Sequence, residues 1–326
     1  MNEKEMSPFG RELTADEWIE LGKICAEHGM LYLLLTGGEP FSRPDFRRIY
    51  SSMRKLGLCV SINTNAALIK DDDIEFLKRE CPESVNITLY GASDETYKRL
   101  CGVDNAFEKV IKNIDALKKN NIPVRLNVSL TRDNINDLEE IVRIGKSRDI
   151  PLKITSYMFR PVRKTDGKGE NNNVVFSEEE SGYSRFLTMK YLLDEDLFRR
   201  IRNSFRENNF TVGFHGDCDE TGDDMSCMAG KSSFWITWNG KMLPCGMINE
   251  PCANLIEAGF SASWRYITDE ISKVRLPAEC KNCKAKNICR PCGAITLSES
   301  GDFSKKPEYL CESTKAYIRN MISDKN

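Results

Sequence analysis

The chain has 326 residues with 47 Lys+Arg against 49 Asp+Glu, a net charge of -2, so its bulk charge marks neither a basic nucleic-acid binder nor an acidic tail protein. With 40% hydrophobic and 29% charged residues it is composed as an ordinary globular protein, large enough for one big or two modest domains, and global disorder is excluded. The longest apolar runs, such as Leu31 to Leu35, fall far short of the roughly 18 residues that a membrane span needs. The polar start MNEKEMSPFGRE has no apolar signal core, so the expected location is the cytoplasm, with no membrane and no nucleic-acid partner.

The first predicted element is a helix. In TADEWIELGKICAEHG, Thr14 and Glu17 have capping-box spacing and Gly29 stands where the helix should stop. Five strand-sized apolar runs follow: LYLLLT (31 to 36), LCVSINT (58 to 64), SVNITLY (84 to 90), VRLNVSL (124 to 130) and LKITSYM (152 to 158). They read as mostly apolar on both faces, and amphipathic stretches separate them. Parallel strands need a crossover between neighbours, so this beat predicts a parallel sheet, either a (β/α) barrel or an open α/β sheet. A βα series should open on a strand, yet here a polar dozen leads straight into a helix, as though the first strand were missing.

Residues 160 to 176 (RPVRKTDGKGENNNVVF) read as a polar connector or lid. One or two helices should follow before a cysteine-rich region that begins near Asp217. There FWITWNGKMLPCG predicts a hairpin hinged on Asn239-Gly240, with Phe234, Trp235 and Trp238 as a small aromatic core. Short helices are expected over 263 to 273 and 308 to 322.

Two constellations carry chemistry. Thr36-Gly37-Gly38-Glu39-Pro40 follows the first visible strand, at the end of a βα unit where active-site loops gather. Glycines let a ligand approach the backbone, and a carboxylate can accept hydrogen bonds from an ammonium; the plain alternative is a tight turn with a solvated Glu. The second lies in the last 109 residues, which hold nine of the 13 cysteines. Without an export signal such thiols stay reduced, which favours metal ligation over disulfides. Cys280-x2-Cys283-x5-Cys289-x2-Cys292, with Cys218, Cys227 and Cys245 upstream and Cys311 downstream, makes eight thiols, enough for two four-ligand sites of zinc or iron-sulfur type. Cys252 is left over, and Cys25, Cys59, Cys81 and Cys101 have no partner in sequence. His28 is expected to cap carbonyls at the end of the first helix, and His215, beside Asp217, Cys218 and Asp219, reads as a solvated loop residue.

Together these residues resemble the radical S-adenosylmethionine (SAM) enzymes that carry a C-terminal SPASM domain with two auxiliary [4Fe–4S] clusters, and the resemblance covers nearly the whole chain. It implies a partial (β/α)6 TIM-like barrel lacking its first strand over 1–160, a linker with bridging helices over 161–216 and a small Cys-rich SPASM domain over 217–326. TGGEP looks like the family's GGEP motif, which implies that Gly37, Gly38 and Glu39 meet the amino group of SAM. Asn65, in Asn63-Thr64-Asn65, resembles a recurrent polar position of the family, and Thr88 in ITLYG resembles a strand residue that commonly contacts SAM, so the resemblance implies that both belong to the cofactor site. The Cys-rich run looks like the seven-cysteine SPASM pattern. The resemblance implies that Cys227, Cys245, Cys292 and Cys218 hold one auxiliary cluster and that Cys280, Cys283, Cys289 and Cys311 hold the other, although the last pair of the central run is often three residues apart and here is two.

The family's CxxxCxxC loop, which holds the SAM-cleaving cluster after the first strand, has no counterpart in these 326 residues. The sequence therefore reads as lacking its N-terminal strand and that loop together, so that the chain by itself should not cleave SAM and should expose strand 31 to 36 as an apolar edge. For an intact form the family implies an oxidoreductase: a reduced cluster gives SAM one electron, and the 5'-deoxyadenosyl radical abstracts a hydrogen from a peptide or protein substrate. An electron donor such as a flavodoxin or ferredoxin is then a partner. Peptide maturation is the leading expectation, and anaerobic sulfatase maturation is an alternative. From another class comes a non-catalytic zinc or iron-sulfur binding protein, or a pseudoenzyme.

Overall fold

The computed structural model describes residues 11–159, 175–207, 225, 227–281 and 283–323. The chain divides into two compact units, Met1–Thr155 and Ser156–Asn326.

The first unit opens on α1 (Ala15–Glu27), where the Thr14 side chain accepts from the Glu17 N–H and Glu17 reaches back to the Thr14 backbone, the full capping box. His28 then binds the Ile24 carbonyl through Nδ1 at 2.8 Å, as a carbonyl cap. There follow β1 (Tyr32–Leu35), α2 (Phe46–Lys55), β2 (Cys59–Thr64), α3 (Asp71–Arg79), β3 (Ser84–Thr88), α4 (Asp94–Cys101), α5 (Ala106–Lys119), β4 (Val124–Ser129), α6 (Leu138–Ser147) and β5 (Leu152–Thr155). The five strands form one all-parallel sheet in the order β1-β2-β3-β4-β5. This is the α/β, partial-barrel class expected, with every strand within three residues of its predicted place.

The strands differ from expectation in their two faces. Val60 and Ile62 of β2, Val85 and Ile87 of β3, and Leu126 and Val128 of β4 are buried. So are the helix residues that cover that side of a βα sheet, among them Tyr50, Leu77, Ile114 and Ile141. The alternate residues are polar: Ser61 and Asn63, then Ser84, Asn86 and Thr88, then Arg125, Asn127 and Ser129. A strand run that is rich in apolar residues hides this alternation, because Ser, Asn and Thr are tolerated in strands and interrupt the run only one residue at a time. β1 forms one edge of the sheet, and Leu31, Tyr32 and Leu34 are exposed there.

The second unit contains α7 (Glu178–Leu192), α8 (Glu195–Arg206), β6 (Trp235–Ile236), β7 (Lys241–Leu243), β8 (Ala253–Asn254), α9 (Leu255–Ala258), α10 (Phe260–Ser272), α11 (Ala278–Lys281), α12 (Lys286–Cys289), α13 (Gly293–Ser300) and α14 (Glu308–Ile322). Helices α7, α8, α12 and α14 share a core of Phe186, Ile201, Phe205, Ile288, Tyr317 and Met321. Gly182 makes this crossing close: a Cβ there would lie 2.5 Å from the Tyr317 backbone nitrogen.

The hairpin at Asn239-Gly240 forms, but its loop is longer than two residues. Ile236 pairs with Met242, Thr237 N–H donates to the Lys241 carbonyl, and only Gly240 has a left-handed φ, +83°. This is a turn closed by one left-handed glycine. Thr237 Oγ1 accepts from the Lys241 N–H at 3.0 Å and helps to fix it. Of the expected aromatic core, Phe234 packs edge-on against Phe260 and Trp264, with both ring centroids 5.6 Å away.

Candidate functional site

The polar face of the sheet converges on Glu39. Gly37 and Gly38 are exposed after β1, and Glu39 starts a short 3-10 turn, Pro40–Ser42. Its Oε1 accepts from Thr64 Oγ1 at 2.7 Å and from the Phe41 N–H at 3.1 Å, and its Oε2 accepts from the Asn65 N–H at 2.8 Å. The carboxylate is thus held by three donors while remaining partly exposed. A carboxylate has about four lone-pair sites, so this one keeps capacity for an incoming ammonium.

Thr64 joins the two loops. It is buried at the end of β2, and its hydroxyl, while donating to Glu39, accepts from the Ala66 N–H at 2.9 Å. Ala66 is buried with φ +60°, a left-handed conformation that costs energy for a residue with a Cβ. Asn113 on α5 holds it there, donating Nδ2 to the carbonyls of Ala66 (2.8 Å) and Ile69 (3.1 Å). Thr64 and Asn113 went unmarked in the sequence reading. Thr64 had a visible signal in the Asn63-Thr64-Asn65 run, whereas nothing local marks Asn113, which acts 44 to 47 residues away.

Asn65 and Thr88 both lie at C-terminal strand ends. Asn65 Oδ1 accepts from the Ala67 N–H at 2.9 Å, which turns the chain, and Thr88 is partly exposed and paired in register with Asn127. Alongside, Asn86 Nδ2 donates to Asn63 Oδ1 at 2.9 Å, and the Ser61 and Ser84 hydroxyls meet at 3.1 Å, so a polar ladder crosses from β2 to β3. Tyr90, its pKa raised first by burial and then by Cys101 and Glu39, stands within electrostatic reach of the same carboxylate. What the arrangement can do is hold a small polar molecule carrying a cationic nitrogen above strand ends.

In the second unit several of the cysteines sit on or at the ends of helices. Cys280 lies in α11, Cys289 ends α12, Cys292 caps α13 and Cys311 lies in the first turn of α14; Arg290, at φ +50°, turns the chain between Cys289 and Cys292. Burial raises the thiol pKa values of Cys280 and Cys289 and pushes Cys311 up to about 11. After burial, the charge of Cys283 raises Cys280, those of Cys280 and Cys283 raise Cys289, and those of Cys289 and Cys280 raise Cys311, so these four thiols are electrostatic neighbours. Four soft sulfur donors in one neighbourhood suit a four-iron cluster or zinc. The set is not drawn into a ligand shell: among the described residues no group of three or more His, Cys, Asp or Glu stands ready to hold a metal ion.

Cys227 is exposed and Cys245 half-buried, its sulfur 3.4 Å from the Met247 N–H. Cys292 acts electrostatically on Tyr157. Cys218 lies outside the described residues, as do His215, Asp217 and Asp219. In the first unit, Cys25 is buried, Cys59 is half-buried, and Cys81 and Cys101 are exposed on separate elements; they do not form a site for a further cluster.

The profile of the Radical SAM superfamily matches residues 2–144. Those residues belong to the Radical SAM superfamily. The radical SAM domain therefore coincides with the βα unit, and S-adenosylmethionine and [4Fe–4S] clusters are the cofactors of this superfamily. Over longer spans the chain is 25% identical to an AdoMet-dependent heme synthase of Methanosarcina barkeri, across 91% of this chain and 87% of that protein. It is 24% identical to the sporulation killing factor maturation protein SkfB of Bacillus subtilis, across 90% of this chain and 65% of that protein. Among solved structures, anSMEcpe with bound AdoMet and the Kp18Cys peptide has the same fold, with a TM-score of 0.69 at 18% identity over 96% of this chain and 89% of that one. Streptococcus suis SuiB bound to S-adenosylmethionine gives 0.65 at 19% identity over 93% and 70%. Among the described residues no helix is long and apolar enough to cross a membrane.

Proposed function

We propose that, in a form that also supplies the SAM-cleaving cluster, this protein serves the SAM-dependent modification of a peptide or protein, as a cytoplasmic oxidoreductase of the maturase type. In this reading Gly37, Gly38 and Glu39, with Asn65 and Thr88, receive the methionine end of SAM. Cys218, Cys227, Cys245 and Cys292 hold one auxiliary cluster, and Cys280, Cys283, Cys289 and Cys311 hold the other. The observation that carries the reading is the Glu39 carboxylate, fixed by Thr64, Phe41 and Asn65 beside a polar sheet face and still open to solvent. The peptide follows by likeness to SkfB, a maturation protein, and the fold agreement with anSMEcpe and SuiB, solved with peptides, is compatible with it.

When bound, auxiliary clusters supply a site that takes up one electron or ligates substrate. The chain's own residues do the rest: Thr64 and Asn113 orient the carboxylate, and the apolar layer under the sheet keeps the strand ends rigid. The three thiolates of a SAM-cleaving site are not supplied by the residues present, and Cys25, Cys59, Cys81 and Cys101 do not fit one. We further propose the division into 1–160, 161–216 and 217–326, and a flavodoxin or ferredoxin as electron donor.

The test is anaerobic reconstitution with iron and sulfide, followed by analysis and SAM calorimetry. About eight iron and eight sulfide per chain are expected, with SAM binding weakened by Glu39→Gln. Zinc without sulfide, or SAM affinity indifferent to Glu39, would overturn the reading. A second reading is favoured by the length of the match to the heme synthase, which points to a tetrapyrrole as substrate. Titration with an iron porphyrin separates the two: tight one-to-one binding seen in the Soret band would favour the tetrapyrrole.

A further inference from the structure

Two cations on the polar face of the sheet have no part in the site as described so far. Arg125 on β4 and Lys153 on β5 are exposed, and among the described residues neither has an ion pair or a hydrogen bond for its charge. Other arginines of this unit are paired, Arg43 with Glu12 and Asp45, Arg47 with Asp73, and Arg148 with Asp115.

Register fixes where the two stand. Arg125 is level with Asn86 and through it with Asn63, and Lys153 is level with Asn127 and through it with Thr88. Residues level with one another in a parallel sheet share a face, and the Asn63–Asn86 hydrogen bond shows that these side chains meet on this one. Strands lie about 4.8 Å apart and rise about 3.3 Å per residue, so the Cα atoms of Arg125 and Lys153, one strand and two residues apart, are roughly 8 Å from each other. By the same spacing Lys153 is about 10 Å along its row from Thr88. Asn127 lies between the cations, half-buried, and its side-chain amide offers both a donor and an acceptor. Two like charges on one face with no counter-ion raise the local positive potential, which an incoming carboxylate relieves.

We propose that Arg125 and Lys153 bind the carboxylates of an acidic segment of the peptide substrate, with Asn127 between them taking its backbone. The proposal rests on the reading of this unit as the site of SAM-dependent peptide modification, and adds that the segment brought to it is acidic. Side chains two positions apart on an extended peptide are about 6.6–6.8 Å from each other and point the same way. That is close to the spacing of the two cations, so two acidic residues separated by one other match the pair. A peptide backbone brings both N–H and C=O groups, and the Asn127 amide answers either. A tetrapyrrole with carboxylate side chains would match the charge, but its macrocycle needs an apolar floor, and the floor here is Ser61, Asn63, Ser84 and Asn86.

The test is calorimetry on the full chain at low salt, without SAM, using a synthetic peptide of alternating Gly and Glu capped at both ends, and its Gly and Gln counterpart. The Glu peptide should bind at least about tenfold more tightly than the Gln peptide. Arg125→Gln and Lys153→Gln, both at exposed positions outside the core, should each weaken it about tenfold. Lys109→Gln, which removes an exposed charge from α5, should change it less than about twofold. Equal binding of the two peptides, or equal losses in all three variants, overturns the proposal. It is overturned too if Arg125→Gln and Lys153→Gln spare the Glu peptide and weaken an iron porphyrin with propionate side chains, because the carboxylate is then a tetrapyrrole's. If they spare the peptide and weaken SAM as Glu39→Gln does, the pair serves the carboxylate of SAM and the proposal falls. Failure of the Glu39 reading shows separately, as SAM affinity indifferent to Glu39→Gln, since the peptide titration contains no SAM.

Discussion

Among the described residues the βα unit runs five parallel strands of four to six residues against a layer of helices, whereas the cysteine-rich unit has three strands of two or three residues and several helices of only four. In the first, apolar periodicity fills a core with residues such as Ile62, Ile87 and Leu126, all fully buried, and the site residues hang from strand ends that this core fixes. In the second, the four-residue helices that carry Cys280 and Cys289 are too short to be stable on their own hydrogen bonds. Their order must come from the α7–α8–α14 core and from whatever the thiols bind. One region is built by burial and the other, on the proposed function, would be held in part by ligation, so the same perturbation should strike them differently.

Iron removal should show the largest difference. Metal binding of this kind supplies on the order of 10 kcal/mol to small domains, so chelation of the reconstituted protein should open 227–311 to amide exchange while the β2–β4 amides stay protected. Equal loss of protection in both units would break the comparison. Leu126→Ala inverts the pattern: it hollows the first core, and about 2–5 kcal/mol of stability should be lost there, with iron content per folded chain unchanged. Iron and β-sheet protection falling together would show that the units are not independently held.

Thr64→Val addresses the site without hollowing the core. It removes one donor from Glu39 and the acceptor of the Ala66 N–H, for a loss of about 1–3 kcal/mol, and SAM binding by calorimetry should weaken about tenfold. Intact affinity would mean that Asn65 and Phe41 alone orient the carboxylate.

The smallest effect concerns Glu299, half-buried in the second unit, which accepts from Tyr157 OH at 3.1 Å and from the Tyr309 N–H at 3.0 Å. Burial raises its pKa above the ordinary 4.5, against the pull of those donors. The folded state therefore holds this proton more tightly than the unfolded state. Its contribution is fully present below the unfolded pKa and is lost as pH rises through the folded one. Glu299→Gln should flatten that part of the Tm-versus-pH curve, with a change within about 1 kcal/mol. A slope unaltered by the substitution would place the titrating group elsewhere.

Much of the first unit was legible. Thr14 with Glu17 marked the start of α1, and the five runs marked five strands, because burial and capping are written in spacing. The polar face was not, since Asn63, Asn86 and Asn127 interrupt apolar runs singly and acquire meaning only when register sets Asn63 beside Asn86. The Asn239-Gly240 turn was found in place but not in type: strand pairing decides loop length, and dipeptide preference does not.

The amino-acid sequence by itself determined the periodicity of the βα unit, the position of Thr36-Gly37-Gly38-Glu39-Pro40 at a strand end and the count and spacing of the cysteines. These are local properties, fixed by which residues lie within a turn or a strand of one another. Tertiary structure alone decided that Asn113 would hold the strained Ala66, that Thr64 would share one hydroxyl between two loops, and that Arg185 would bind the Ile288 carbonyl. Each joins residues 25 to more than 100 positions apart. Such pairs leave no mark in spacing, because packing of whole elements, and no preference of either residue, brings them together.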